Sequence, residues 1–415
     1  MPEQSQYRRC RNSMMSILAG GLMLLNLPVQ ADFRIPGYEL VYNAPRETTL
    51  QNNDLRNAAV VWQQMFDAAH SHIDLAQFYV ANEKGSLLDG VLAHLRKAGE
   101  RGVKIRFLME EKGVGISTPE TLAALKTIPN LELRTIPFHR LTGGIVHAKY
   151  LLVDGQQAFV GSQNFDWRAL EQIQETGLLI SDEPTVKQIQ AIFDQDWQAQ
   201  ALLAESKPVP KISWQAPASV PQGNYLVASP RDYNPPGVID SQTELPRLLA
   251  NAKSQIRVQV MDYAPLSWGE HGNRAFYAPI DNALRSAAAR GVKIELMVSN
   301  WNLKKPDVFW LKSLSLVPNV QLKVVTIPQA SRGFIPYARV VHSKIMTIDG
   351  AVAWVGTSNW SGGYLDNSRN LELVINNVPM TARVDALFSQ LWNSQYAQPL
   401  RVDYDYPVPH PGRQE

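Results

Sequence analysis

Residues 145–164 read IVHAKYLLVDGQQAFVGSQN, and residues 340–359 read VVHSKIMTIDGAVAWVGTSN. Each stretch carries a histidine, a lysine two residues later, an Asp-Gly pair and then a small polar loop, at identical spacing. In numbers, these are His147, Lys149, Asp154-Gly155 and Gly161-Ser162-Gln163-Asn164, matched by His342, Lys344, Asp349-Gly350 and Gly356-Thr357-Ser358-Asn359. One such match arises by chance, but two at the same point of a repeat do not.

The flanks Ile145-Val146, Tyr150 to Val153, Val340-Val341 and Ile345 to Ile348 are β-branched, aliphatic or aromatic and favour a strand, which would point His and Lys to one face. Asp-Gly between apolar runs predicts a tight hairpin back into Ala158 to Val160 or Val352 to Val355. The two aspartates then sit at turns and read as structural. The loops that follow offer Asn164 and Asn359 amides, with Ser162 and Thr357 beside them, to a phosphate.

Working outward, the repeat extends well beyond the motifs. Ile73 to Val80, Arg101 to Ile105 and Asn130 to Pro137 recur as Ile256 to Val260, Arg290 to Ile294 and Asn319 to Pro328. Helical stretches such as Leu87 to Ala98 and Asp281 to Ala289 alternate with these short apolar runs, which predicts two homologous α/β lobes. Lobe boundaries are expected at 32–205 and 224–402. Between them, residues 206–223 carry Pro208, Pro210, Pro217 and Pro221 and suit an extended linker. The tail 403–415 is also proline-rich and is expected on the surface, without a catalytic role.

Composition sets the remaining bounds. A chain of 415 residues that is 45% hydrophobic and 19% charged has the makings of folded, water-soluble domains. Residues 1–31 differ: Arg8, Arg9 and Arg11 precede the apolar run Met14 to Leu27, and Val29-Gln30-Ala31 supplies small residues for cleavage. This is a signal-peptide pattern, and the run is shorter than a bilayer span, so a periplasmic or secreted protein is expected. Without the leader, 37 basic and 37 acidic residues remain, which argues against broad, sequence-blind adhesion to polyanions. Cys10, the sole cysteine, lies within the leader, so neither a disulfide nor a thiolate metal site is expected afterwards. No metal-ligand cluster stands out, and no cofactor or obligate protein partner is indicated.

The paired His-x-Lys-x4-Asp followed by Gly-Ser/Thr-x-Asn resembles the phospholipase D superfamily, from about Tyr38 to about Trp392. Within it, Gly161 to Arg168 and Gly356 to Gly363 look most like the branch of endolysosomal single-strand exonucleases and their poxviral envelope relatives. The resemblance implies two sandwich lobes related by a pseudo-twofold axis, with His147 and His342 sharing one phosphate between them. It also implies that His147 attacks phosphorus to form a phosphohistidine while His342 serves as general acid and then base. Lys149, Lys344, Asn164 and Asn359 would stabilise the phosphoryl oxygens without a metal. The family places a carboxylate about thirty residues after each histidine, and Glu175 and Glu372 match that place as orienting partners of His147 and His342, with Glu171 a nearby rival for the first.

Substrate is less legible, because a phospholipid and a nucleic acid present the same phosphodiester to such a pair. Phe138, Phe165, Trp167, Phe334, Tyr337, Trp360 and Tyr364 cluster near the motifs and suit bases, acyl chains or core packing equally. Near-neutral charge leans narrowly toward a phospholipid, with hydrolysis or transfer to an alcohol and peripheral membrane contact. The alternative is an exonuclease on single strands, and a third reading is a non-catalytic lipid- or polyanion-binding protein.

Overall fold

The computed structural model describes residues 32–213, 221–268 and 274–413. The expected leader and the middle of the expected linker lie outside the described residues. Residues 32–415 form one compact unit that holds both copies of the repeat.

Each copy builds one sheet with the same core order. The first runs Tyr38–Asn43, Glu175–Ile180, Gln157–Gly161, Tyr150–Val153, His72–Gln77, Lys104–Glu110, Leu131–Ile136. Its counterpart runs Tyr225–Ser229, Asn370–Ile375, Val352–Gly356, Ile345–Ile348, Gln255–Gln259, Lys293–Ser299, Val320–Val325. In both, the last three strands are parallel and the rest antiparallel, so a mixed α/β sheet arises twice. Helices Leu87–Glu100 and Ala278–Ala289 make the crossovers between parallel strands, as the sequence pattern predicts.

The strands around the motifs are almost wholly apolar because both of their faces are covered. Tyr150 and Leu152 point into a layer between the two sheets, where they join Ile345, Val355 and Leu373 of the other copy. Two helices, Glu183–Ala204 and Val378–Trp392, fill the same layer with Ile189, Phe193, Leu387 and Phe388. The alternate residues Leu151 and Val153 face outward onto Trp62 and Phe66 of helix Ala58–Ala68. Each such fully buried side chain contributes roughly 1.5–3 kcal/mol.

The Asp-Gly hairpins form as expected. Asp154 and Gly155 have φ of 54° and 65°, and Asp349 and Gly350 have 53° and 66°, the left-handed pair that a two-residue turn of matching twist requires. Asp154 accepts from the backbone N–H groups of His70 (2.8 Å), Ser71 (2.9 Å) and His72 (2.9 Å), and Asp349 repeats this on Lys253, Ser254 and Gln255. Burial pushes the Asp154 carboxyl up, but these donors outweigh it and hold the group at about 2. Neither aspartate bonds to His147 or His342.

One expectation needs correction. His147 and Lys149 do not lie in the regular strand, which begins at Tyr150, and the same holds for His342 and Lys344 before Ile345. Their backbone is extended, but it pairs with the opposite lobe. The His147 and Ala148 N–H groups donate to the Arg369 carbonyl (3.0 and 2.9 Å), and the His342 and Ser343 N–H groups donate to the Gln174 carbonyl (2.8 and 3.1 Å). A sequence pattern reports strand conformation without revealing its partner.

Arg369 is fully buried and all of its donors are used. Its guanidinium pairs with Asp196 of the long helix (2.8 Å twice) and donates to the carbonyls of Ser229 (2.9 Å) and Tyr233 (2.7 Å) and to Asn234 Oδ1 (3.0 Å). The proline-rich tail lies across the surface, where the Tyr337 N–H donates to the Pro411 carbonyl (2.7 Å). Replacing Arg369 with Ala leaves Asp196 buried without its partner, so we expect a loss of about 3–5 kcal/mol in urea unfolding. An Arg369→Ala protein within 1 kcal/mol of the parent, on the order of a surface substitution, would refute that role.

Candidate active site

The two crossings bring His147, Lys149, His342 and Lys344 into one buried site. The histidines are 6% and 8% exposed and the lysines 1% and 0%, so none is a solvated strand end. The loop before His147 is fixed by Glu110, a fully buried carboxylate that accepts from the Val146 N–H at 2.7 Å.

The orienting groups differ from those expected. His342 Nδ1 lies 2.8 and 3.0 Å from the carboxylate oxygens of Glu175, so Glu175 serves the histidine of the opposite lobe rather than His147. His147 Nδ1 instead meets Asn370 Oδ1 at 3.0 Å. Among the described residues Glu372 bonds no histidine: its carboxylate accepts from Ser241 Oγ (2.5 Å) and from Ser358 Oγ. Glu171, the rival, accepts from the Leu87 N–H (2.6 Å) and pairs with Arg46 (3.0 Å).

The reason is register. Gly177 pairs with Gly161 in one sheet and Glu372 pairs with Gly356 in the other, so the true repeat partner of Glu175 is Asn370. Each stands twenty-eight residues after the histidine of its own lobe, a match visible in the sequence but hidden by searching only for carboxylates.

Ser162 and Thr357 complete two parallel chains. Ser162 Oγ donates to Glu175 Oε2 (2.5 Å), and Thr357 Oγ1 donates to Asn370 Oδ1 (2.8 Å). The Asn370 Nδ2 group donates to the Tyr364 carbonyl (2.9 Å), which turns its oxygen toward His147. His147 therefore donates from Nδ1, and Nε2 keeps its lone pair for the cleft.

Electrostatics sharpen the picture. Burial, reinforced by the two lysines, pushes both imidazoles well below their ordinary range. Burial raises Glu175 to about 7 against the lowering fields of Lys344 and Lys149. Lys344 falls to about 7 through burial, and Lys149 is pushed down by burial and by Lys344. Among the described residues each lysine makes one hydrogen bond, to the carbonyl of its own motif's histidine. Two buried ammonium groups so poorly neutralised form a site for an anion.

Asn164 and Asn359 stand at the same site with groups to spare. Among the described residues, Asn164 Oδ1 and both amide atoms of Asn359 are buried without a hydrogen-bond partner. Of the aromatic residues near the motifs, Phe138, Phe165 and Trp360 are fully buried in the core, whereas the Tyr364 ring lies 4.8 Å from the His147 ring. Phe78, at 5.9 Å from His147, and Trp268, at 5.0 Å from Tyr364, extend this wall. Neither ring is recognisable from the sequence, since both lie far along the chain from either motif.

A family model described as "Cardiolipin synthase, PLD-like domain" matches residues 63–197 and again 245–392. The chain belongs to the phospholipase D superfamily. Phospholipase D Z of Dictyostelium discoideum is 31% identical over 391 residues, covering 87% of this chain and 90% of that protein. The 5'-3' exonuclease PLD3 of Xenopus laevis is 30% identical over 425 residues, covering 90% and 83%. Among solved structures, phosphatidylserine synthase from Haemophilus influenzae superposes with a TM-score of 0.55 at 9% identity, over 83% of this chain and 85% of that one, a likeness of fold. As in its relatives, the chain is a phosphodiesterase of this superfamily.

The asymmetric partners yield a direct test. Asn370→Ala frees the His147 ring and is expected to lower kcat/KM on a chromogenic phosphodiester by about 10- to 100-fold. Glu372→Gln, which touches neither histidine, should change it by less than about threefold. A larger loss from Glu372→Gln than from Asn370→Ala would restore the expected pairing.

Proposed function

We propose that this chain cleaves a phosphodiester through a phosphohistidine on His147 and acts at the end of a single-stranded nucleic acid. The observation that carries the chemistry is the pair of buried lysines flanking two histidines with unlike partners. The neutral amide of Asn370 leaves His147 uncharged with a free Nε2, as a nucleophile needs. The carboxylate of Glu175 favours an extra proton on His342, as a general acid needs.

In the first step, His147 Nε2 bonds to phosphorus, the ester P–O bond breaks, and the departing oxygen takes the proton from His342 Nε2. In the second, His342 Nε2 takes a proton from water, whose oxygen bonds to phosphorus while the P–N bond breaks. Water and diester have become a monoester and an alcohol, with two inversions and net retention at phosphorus. Lys149, Lys344 and the Asn164 and Asn359 amides stabilise charge on the non-bridging oxygens.

Sequence alone leaned narrowly to a phospholipid. The rings of Tyr364 and Phe78 beside His147, with Trp268 against Tyr364, move the preference, because stacking on a base is worth about 1–3 kcal/mol and tolerates any sequence. The similarity to a protein named as a 5'-3' exonuclease supports the same reading. A phospholipid remains the second reading, favoured by the exposed rings Phe276 (51%) and Phe309 (54%), which suit a membrane interface, and by relatives named phospholipase D. Export through residues 1–31 belongs to the proposal as well.

Purified protein offered a labelled single-stranded oligonucleotide and, separately, a phospholipid with a primary alcohol, both in chelator, is expected to degrade the oligonucleotide. His147→Ala and His342→Ala should each reduce turnover by at least about 10³-fold. Turnover of the lipid alone would replace this substrate, and full activity in either variant would end the mechanism.

The pH profile follows from the same groups. Glu175 is raised to about 7, so the Glu175–His342 pair holds its extra proton below that value and loses it as pH rises through it. Lys344, lowered to about 7, loses its charge over the same window. Both changes remove activity, so kcat/KM should fall about tenfold per pH unit, or more steeply, above pH ~7. The acid limb, set by protonation of His147, lies well below its ordinary range. An alkaline optimum in initial-rate measurements would contradict the assignment.

A further inference from the structure

The two halves of the site are not equivalent on their outer sides. In the first lobe, Tyr79 precedes Val80–Ala81, which pairs with Phe165–Asp166, and its hydroxyl is spent on Asp166 Oδ2 at 2.6 Å. In the second lobe the same place, before Tyr263–Ala264, which pairs with Trp360–Ser361, is held by Asp262. Its carbonyl accepts from the Trp360 N–H at 3.0 Å, which seats it next to Asn359. Asp262 Oδ1 is buried with no hydrogen-bond partner among the described residues, as are both amide atoms of Asn359.

These groups adjoin the reacting centre. Asp262 and Glu175 both support the charge of Lys344, and burial, with the Asp262 field added, pushes the Tyr364 hydroxyl up to about 12 against the lowering effect of the Asn359 side chain beside it. The Tyr364 ring is the one that lies 4.8 Å from His147. Leaving a carboxylate oxygen buried and unpaired, beside an amide that meets only the Tyr364 hydroxyl among the described residues, is unfavourable unless something else pairs with them. A phosphate oxygen cannot pair with a carboxylate, so Asp262 calls for a hydrogen-bond donor. Burial raises the Asp262 carboxyl, with Asp307 adding to it against the lowering fields of Lys304, Lys344 and Arg274, and three cations already facing the group disfavour an added ammonium and suit a neutral donor. A hydroxyl both donates to Asp262 and exchanges bonds with the Asn359 amide.

We propose that Asp262 and Asn359 form a hydroxyl-recognising subsite beside the scissile phosphate, selecting substrates that bear a free alcohol close to phosphorus. The terminal hydroxyl of a nucleic-acid strand is of this class, and so is a polyol headgroup. The proposal rests on the phosphodiesterase reading of the histidine pair.

The test uses p-nitrophenyl phosphodiesters whose second ester is 2-hydroxyethyl, 2-aminoethyl or ethyl, with turnover counted as the open phosphomonoester released, because attack by the substrate's own hydroxyl or amine expels nitrophenol to give a cyclic product instead. The parent protein should favour the hydroxyethyl over the ethyl diester by at least about tenfold in kcat/KM, because a site built to bond a hydroxyl rejects its absence. Asp262→Ala and the near-isosteric Asp262→Leu should bring that ratio to within about threefold of unity, whereas a residue that only supported Lys344 would weaken all three diesters alike and keep the ratio. A preference for the aminoethyl diester, an indifferent parent, or a ratio kept in the variants overturns the subsite; if neither variant folds, the parent's preference alone decides. Should the parent turn over none of the diesters, the phosphodiesterase reading fails separately. Calorimetric binding of 2-hydroxyethyl phosphate against ethyl phosphate then decides the subsite, with tighter binding of the hydroxylated ester required. A hydroxyl preference also leaves its source to be separated: a 5'-hydroxyl oligonucleotide and a glycerol headgroup lipid, compared in the same assay, do that.

Discussion

The site depends on a reciprocal backbone pairing. Each histidine motif leaves its own sheet and donates its N–H groups to one carbonyl of the other lobe, that of Arg369 for His147 and that of Gln174 for His342. Backbone donors in a buried place must be paired, so these bonds fix the lobes against each other as firmly as a sheet fixes its strands. Arg369 reinforces its half of the arrangement by spending every guanidinium donor on Asp196 and on three groups of the second lobe. The residue after each of these carbonyls, Asn370 or Glu175, is the one that orients the histidine. Docking of the lobes and aim of the imidazoles are therefore set by a single stretch of chain in each half.

Duplication gives the two halves equal geometry, and chemistry then needs them unequal. Two identical His-carboxylate pairs would compete for protons between the same two lysines, with neither histidine committed to attack or to protonation. Placing the neutral amide of Asn370, one methylene shorter, where the other lobe has the carboxylate of Glu175 separates the roles while each group still reaches a histidine Nδ1. The Ser162–Glu175–His342 and Thr357–Asn370–His147 chains keep equivalent hydroxyl supports, so the difference lies in one charge and one methylene. The same logic extends outward, where Tyr79 is satisfied and Asp262 is left open.

Much of this was readable from the chain alone. The repeat, the two mixed lobes, the hairpins at Asp154 and Asp349 and the motif residues followed from periodicity, turn chemistry and duplicated spacing. The partners were harder, because a strand pattern cannot say which lobe supplies the pairing edge, and that edge decides that Glu175 belongs to His342. Asn370 escaped notice because a carboxylate was sought, although its distance from His342 equals that of Glu175 from His147. Phe78, Trp268 and Asp262 lie more than sixty residues from the motifs they adjoin, so only the folded sheets bring them near.

Burial explains why such a site waits for its ligand. Lys149 and Lys344 are removed from water with one hydrogen bond each among the described residues, and Glu175, the carboxylate whose field reaches both, is itself committed to His342. Burial therefore pushes both lysines towards their neutral forms, and their ammonium forms stand at an electrostatic cost that the fold alone does not offset. A phosphodiester brings one negative charge and acceptor oxygens to the place where both are missing, and that charge restores the ammonium and imidazolium forms that burial disfavours. Binding and activation are then one event: the anion that enters raises the proton affinity of the groups that must protonate and stabilise it.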